Sequence, residues 1–420
     1  MTVGCAYCLE NLMNKLVVND KKFSHRVISN NREHLIPEIG VLALVPDRWG
    51  SWWQPRHHVL TRLARYFPVV WVNPASEWRC SFRESKVQIA NGDVTDCPPG
   101  FSVYDNSWLP KLYRPTWLGW YMFSARLNRA RNLLLNRGCR KVIIYIWRPE
   151  FGPALDSVPS DLSCYHIDDE YSFSENGCTI DPVEKSLITK VDQVFIHSPA
   201  LMARKGSFNC HTTFTPNGVN FADYATPAPE PEDLSAIPRP RIGYTGYIKK
   251  QLDWPLILDL TGRNRGWSFV FVGPTSPHPE ITPALKELAR RRNVHFLGAK
   301  SVHEIATYPQ HFDVCIMPYR INAYANNIFP MKLHEYLASG RPAISSPIRS
   351  VRDFSNVITL ANGPDEWSRA ITDALGERAN CPESVADRQK IAREYDWDKL
   401  VQLISKTLCE RLAFPYSCEI

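Results

Sequence analysis

The sequence predicts an α/β fold made of two doubly wound domains with parallel sheets. Three observations predict it. Short apolar runs of strand type alternate with helix-like stretches from about residue 41 onward. One proline-rich stretch, 226–240, divides that alternation in two. A chain of 420 residues is long for a single core, and its 13 Trp supply apolar surface for two.

The elements follow in order. Residues 1–38 are mixed and polar and read as a poorly ordered extension. The first domain is placed at 39–225. Val41–Val45 is a buried-type strand; the loop Pro46–Gly50 leads from it into a helix through about Tyr66. Val69–Val72 is a second strand. A helix is predicted over 117–137, then strands at Val142–Ile146, Ser163–Ile167 and Val191–Ile196. Residues 226–240 hold Pro227, Pro229, Pro231, Pro238 and Pro240 and read as a linker. The second domain, 241–390, opens with the strand and turn Arg241–Gly246. Strands at Trp267–Gly273, Val294–Gly298, Val314–Pro318 and Ala343–Ser345 follow. Val385 to Arg411 is helical in pattern with a break near Trp397, and 391–420 is assigned to a last helix and tail. Two such domains place a ligand cleft between the carboxyl ends of both sheets.

Composition narrows the function classes. No run approaches the roughly 18 uncharged apolar residues of a membrane span, and the N-terminus lacks a basic-then-apolar leader pattern. A cytoplasmic location is the expectation. The 12 Cys show no secreted-scaffold spacing, so reduced thiols are expected, and Cys5 and Cys8 form one isolated C-x-x-C. The net charge is +6, yet residues 41–150 hold 16 Lys and Arg against 7 Asp and Glu. The stretch Pro115–Arg140 mixes Trp117, Trp120, Tyr121 and Phe123 with Arg126, Arg129 and Arg131. That mixture suits an inner membrane face or a lipid pyrophosphate, and equally a core helix with solvated arginines. No motif for nucleic acid accompanies the charge.

The most informative stretch is Ile328–Pro342. Pro330 suits a first helical position, Gly340 the left-handed residue that ends a helix, and Pro342 prevents its resumption. Leu333, Tyr336, Leu337 and Gly340 share one face. Glu335 lies off it, where a carboxylate can accept hydrogen bonds from ribose hydroxyls while the helix start holds phosphate.

At these residues the chain resembles the retaining nucleotide-sugar glycosyltransferases of family 4, whose wording is K-L-x-E-Y-L-A-x-G-x-P-V. Here it reads Lys332-Leu333-His334-Glu335-Tyr336-Leu337-Ala338-Ser339-Gly340-Arg341-Pro342-Ala343. Asp168-Asp169, Pro216–Val219, Gly243–Gly246, Phe271–Gly273, His295–Gly298 and Asp313–Pro318 extend the resemblance from about residue 41. The opening Trp49–Leu60 resembles a subgroup with teichuronic-acid and other cell-surface polysaccharide transferases. The resemblance implies the GT-B architecture, with the last helix crossing back to the first domain. It implies a UDP- or GDP-linked sugar donor, a saccharide or lipid-linked acceptor, no metal and no cofactor. Donor contacts would fall on Gly246, Gly273, Asn327, Lys332, Leu333 and Glu335. Lys249 and Lys250 would face the diphosphate. Two departures stand out. Many family members carry a second Glu where this chain has Asn327, and an Arg–Lys pair about five apart where this chain has adjacent lysines.

The chemistry asks for cations or amides against a leaving diphosphate and a group to receive the acceptor proton. Asp168 or Asp169, beside Glu170 at a strand end, can orient the acceptor hydroxyl or take its proton, and either can equally cap a loop. Arg56, His57, Arg148 and Asn217 are acceptor-side candidates, with turn or packing roles as their plain alternatives. A sugar-nucleotide epimerase of the same fold and a non-catalytic nucleotide-sugar-binding protein stay open as rival readings.

Overall fold

The computed structural model describes residues 34–75, 98–105, 116–172, 180–276 and 278–416. Two parallel sheets organise them. The first has strands β1 (Ile39–Leu44), β2 (Val69–Val72), β3 (Phe101–Tyr104), β4 (Lys141–Ile146), β5 (Leu162–Ile167), β6 (Gln193–Ile196) and β7 (Thr212–Phe214), in spatial order β3-β2-β1-β4-β5-β6-β7. The second has β8 (Arg241–Thr245), β9 (Ser268–Val272), β10 (Val294–Gly298), β11 (Val314–Met317), β12 (Ala343–Ser345) and β13 (Thr359–Leu360), in order β10-β9-β8-β11-β12-β13. Every strand pair is parallel.

The central strands are buried on both faces, which their continuous β-branched and aromatic runs require. In each sheet the strand order reverses beside the first strand, between β1 and β4 and between β8 and β11. The connections leave in opposite directions at those points and open a crevice at the carboxyl ends.

The chain crosses between the halves twice. Val219 N–H donates to the Tyr395 carbonyl (2.9 Å), and Trp397 N–H returns the bond to Val219 (3.0 Å). A helix over Pro382–Glu394 closes the end of the Glu335 helix, Met331–Ala338. Arg388 Nε donates to the Gly340 carbonyl at 2.9 Å, and Gln389 Nε2 to Ala338 at 3.1 Å. The helix breaks at Tyr395-Asp396, where Asp396 caps the next one, Trp397–Arg411. That last helix lays Trp397, Leu400, Val401, Ile404 and Leu408 into the core of the first half, as the expected crossover demands.

Two boundaries differ from expectation. Residues 34–38 are tied to the first sheet: Ile36 is buried and its N–H donates to the Tyr66 carbonyl at 2.8 Å, while Arg140 N–H donates to Glu38 at 2.7 Å. The remainder of the expected extension, with Cys5 and Cys8, lies outside the described residues. The proline-rich stretch is no free tether, because Leu234 and Ile237 are buried in the second core and Ala228 N–H donates to Gln310. Proline composition gives no sign of the apolar residues that pin this stretch down.

Candidate active site

A cleft of about 1670 Å³ lies between the carboxyl ends of the two sheets. From the first half it is lined by the loop after β1, by Arg148 after β4, by Asp168 and Asp169 after β5, and by His197 after β6. From the second half come Gly246, Lys249 and Gln251 after β8, Pro274 after β9, and Tyr319 and Tyr324 after β11, with Pro330, Lys332 and Glu335 beyond them.

The Glu335 helix sits where its sequence pattern puts it. Leu333, Tyr336 and Leu337 are fully buried, and the Tyr336 hydroxyl accepts from Thr245 N–H at 2.9 Å. That bond ties the helix to the end of β8. No side chain caps the helix start, where Pro330, Met331 and Lys332 line the cleft. Pro330 is the cap residue, one position earlier than the sequence suggests. Lys332 curls back over the β8 loop, its ammonium 5.1 Å from the Tyr244 ring centre. A Cβ added to Gly246 would lie 2.7 Å from Lys332 Nζ and displace that ammonium, and the backbone φ of +112° itself favours glycine. Burial pushes the Glu335 carboxyl above its ordinary value, against the opposing pull of Lys332 and a hydrogen bond from Tyr224.

Lys249 reaches the cleft. Burial and the nearby Lys332 lower its pKa, while Asp169 pulls the other way. Asp169 is raised by burial and by Asp168, with the Glu170 amide, His197 and Lys249 opposing. Both groups shift toward neutrality although they attract each other, so desolvation outweighs their pairing.

The adjacent carboxylates have different work. Asp168 accepts from Arg56 Nη1 at 2.8 Å on one oxygen and from the Tyr171 hydroxyl on the other, and its side chain is 3% exposed. Both bonds tie Asp168 to its own half, an anchoring role beside the catalytic one expected of it. Asp169 turns toward the second half instead, where the Tyr324 hydroxyl donates to it at 3.2 Å. Glu170 leaves the cleft altogether and pairs with buried Lys205 at 2.8 Å and with Arg204.

Arg56 lines the cleft but is held by Asp47 and Asp168. His57 is 1% exposed among Trp49, Trp53 and Trp71. Its Nδ1 accepts from Gln54 N–H at 3.0 Å, and burial with Arg56 beside it lowers its pKa to about 3. It is therefore a neutral N–H donor through Nε2, which has no partner within the described residues. Arg148 stacks over Tyr171 at 4.4 Å and borders the cleft. Asn217 also borders it, although its amide nitrogen donates to the Phe329 carbonyl at 2.7 Å.

Four expected site residues stand elsewhere. Lys250 is exposed, away from the cleft lining, beside Glu280. Leu333 belongs to the second core, its N–H donating to Pro330. Asn327 donates its side-chain amide to the Ala323 carbonyl at 2.9 Å and braces a turn. Gly273 lies behind Gly246, where a Cβ would sit 2.2 Å from the Gly246 carbonyl oxygen, so it shapes the donor loop rather than lining the cleft. Conversely, Tyr224, Tyr324 and His197 reach the cleft without any periodic or motif signal. His197 donates Nδ1–H to the Ile167 carbonyl at 2.9 Å, which leaves Nε2 as an acceptor near Asp169. Among the described residues no group of three or more His, Cys, Asp or Glu side chains could hold a metal ion.

Comparison with known proteins agrees with this geometry. Residues 239–377 match the family of glycosyl transferases group 1. A stretch of 197 residues is 30% identical to the TuaH protein of Bacillus subtilis (strain 168), assigned to teichuronic acid biosynthesis as a glycosyltransferase. The match covers 45% of this chain and 49% of that protein, so the chain spans about half the length of this curated relative. Among solved structures, the E. coli trehalose-6-phosphate protein bound with UDP-2-fluoro glucose aligns with a TM-score of 0.61 at 13% identity, over 88% of this chain and 98% of that one. An alpha,alpha-trehalose-phosphate synthase (UDP-forming) from Burkholderia vietnamiensis gives 0.60 at 12% identity, over 91% and 100%. At such identity the likeness establishes the fold, which is GT-B.

Proposed function

We propose that this chain is a retaining glycosyltransferase that moves a sugar from a UDP- or GDP-linked donor to a saccharide or lipid-linked acceptor in cell-surface polysaccharide or glycolipid synthesis. One observation carries the reading. Glu335, Lys332, Gly246 and Lys249 of one sheet's end meet Asp169 of the other across a single cleft. The ribose hydroxyls donate to Glu335. The diphosphate lies against Lys332, Lys249 and the uncapped start of the Glu335 helix. As the anomeric carbon–oxygen bond breaks, its electron pair leaves with the nucleoside diphosphate, and the two lysines stabilise the charge that develops. The acceptor oxygen bonds to the anomeric carbon, and its proton passes to Asp169. His57 Nε2–H and Arg148 steady the acceptor. The TuaH likeness, together with the opening Trp49–Leu60, favours a surface polysaccharide as the product class.

A membrane-facing role rests on the helix Thr116–Asn136, which exposes Trp117, Trp120 and Tyr121 by 60%, 53% and 45% on one face. Arg126 takes no part, because it is buried and burial lowers its pKa to about 10. No helix of the described residues is long and apolar enough to cross a membrane.

The test is a thermal-shift screen of UDP-, GDP-, CDP- and ADP-linked sugars. A donor at about 100 times its Kd adds about 2.7 kcal/mol to stability. Absence of any shift across the panel removes the proposal.

A further inference from the structure

The loop between β11 and the Glu335 helix reaches across the cleft. Its turn is braced by asparagines: Asn322 accepts from Ala325 N–H at 2.8 Å, Asn326 from Arg349 N–H at 3.1 Å, and Asn327 donates to the Ala323 carbonyl at 2.9 Å. Asn327 N–H also donates to the Tyr324 carbonyl at 2.9 Å. Three of the four bonds close on residues within the turn, and all of them fix its shape. What the turn presents to the cleft is Tyr324, whose hydroxyl donates to Asp169 Oδ2 at 3.2 Å. The other Asp169 oxygen accepts from the Glu170 amide at 2.8 Å. Both bonds favour the ionised carboxylate, against the burial that opposes it.

From this arrangement we infer that Tyr324 is a positioning residue, which holds the Asp169 carboxylate ionised and oriented toward the acceptor hydroxyl when the two halves of the cleft meet. The inference rests on the transferase reading for its consequence, and on the Tyr324–Asp169 contact for its substance. In transfer, the acceptor O–H bond breaks toward Asp169, the acceptor oxygen bonds to the anomeric carbon, and the nucleoside diphosphate leaves with the electron pair. Asp169 then holds a proton that Tyr324 cannot share, because the phenol remains protonated. The contact joins a first-half strand end to a second-half loop. Asp169 is faced also by Asp168, His197 and Lys249, with Arg148 nearby, and none of these is altered by removing one hydroxyl from Tyr324.

The experiment uses the full chain labelled with carboxyl-¹³C aspartate, with Asp169→Asn assigning the resonance. In Tyr324→Phe the Asp169 titration midpoint is expected to rise by about 1–2 pH units, the value of one hydrogen bond to a charged acceptor. Asn327→Ala loosens the brace and touches neither group, and it moves the midpoint in the same direction. UDP and GDP affinities by calorimetry stay within about twofold in both variants, since neither residue lies on the ribose or diphosphate. An Asp169 midpoint equal to wild type in Tyr324→Phe overturns the inference. If the midpoint rises while neither UDP nor GDP binds wild type, the positioning of Asp169 stands and the transferase reading falls.

Discussion

Glu335→Gln isolates the donor site with little disturbance to the fold. The side chain keeps its length, and the buried face of Leu333, Tyr336 and Leu337 is untouched. Burial already disfavours the Glu335 charge, so removing it costs the apo protein nothing in desolvation; its melting temperature is expected to hold or rise slightly. Binding is another matter. The ionised carboxylate accepts one bond from Tyr224 and keeps lone pairs for the ribose, whereas Gln offers one carbonyl and a donating NH₂ that faces donors. A hydrogen bond to a charged acceptor contributes about 1.5–3 kcal/mol, which is roughly 10- to 150-fold in affinity. Calorimetry with UDP and GDP reads it. The pH dependence adds a second signature. Glu335 titrates above an ordinary Glu, so wild-type affinity falls as pH drops through that raised value and is full above it. In Glu335→Gln the acid-side loss from this group disappears. A folded variant with wild-type affinity and an unchanged acid limb refutes the ribose assignment.

Other perturbations separate neighbours that look alike in sequence. Lys249→Ala and Lys332→Ala should each lower kcat/KM for the donor found in the screen by about tenfold or more, while Lys250→Ala leaves it within about twofold, measured by nucleoside diphosphate release. With the two lysines holding the diphosphate as proposed, activity should survive EDTA; loss restored by Mn²⁺ or Mg²⁺ contradicts that assignment. Gly273→Ala places a Cβ 2.2 Å from the Gly246 carbonyl at a backbone φ of +143°, so it should destabilise the second half by about 1–3 kcal/mol in urea unfolding and weaken UDP or GDP binding. Trp117→Ala with Trp120→Ala should reduce partition onto anionic liposomes and leave nucleotide affinity alone; equal partition removes the membrane face.

The fold was legible wherever strands are buried on both faces, because such strands read as continuous apolar runs. The ones that escaped, β3, β7 and β13, are sheet edges of four, three and two residues. β7 and β13 are half-exposed, β3 is nearly all buried, and in all three so short a run has no period to detect. The Glu335 helix was legible because its function is local: the capping proline, the apolar face and the glutamate lie within one turn or two. Lys249 and Lys250 could not be told apart from sequence, since their difference is a backbone direction fixed by the Ile248 bridge to Thr275.

Asp168 and Asp169 show why the remaining site needed the fold. Each follows β5, each is an aspartate, and strand geometry sends adjacent side chains to opposite sides. One meets Arg56 and Tyr171 of its own half and is held fast. The other meets Tyr324 and the field of Lys249, which arrive from 155 and 80 residues away along the chain. Asp168 is bonded wholly within its own half and anchors a loop there. Asp169, whose other oxygen accepts from the Glu170 amide, is the one of the two with a hydrogen-bond partner from the opposite half. Asp168→Asn should then act on loop order and stability, with the Arg56 charge left to Asp47 alone. Asp169→Asn should leave the melting temperature near wild type and remove transfer to the acceptor. Equal stability losses in the two variants would show that both aspartates serve the fold alike.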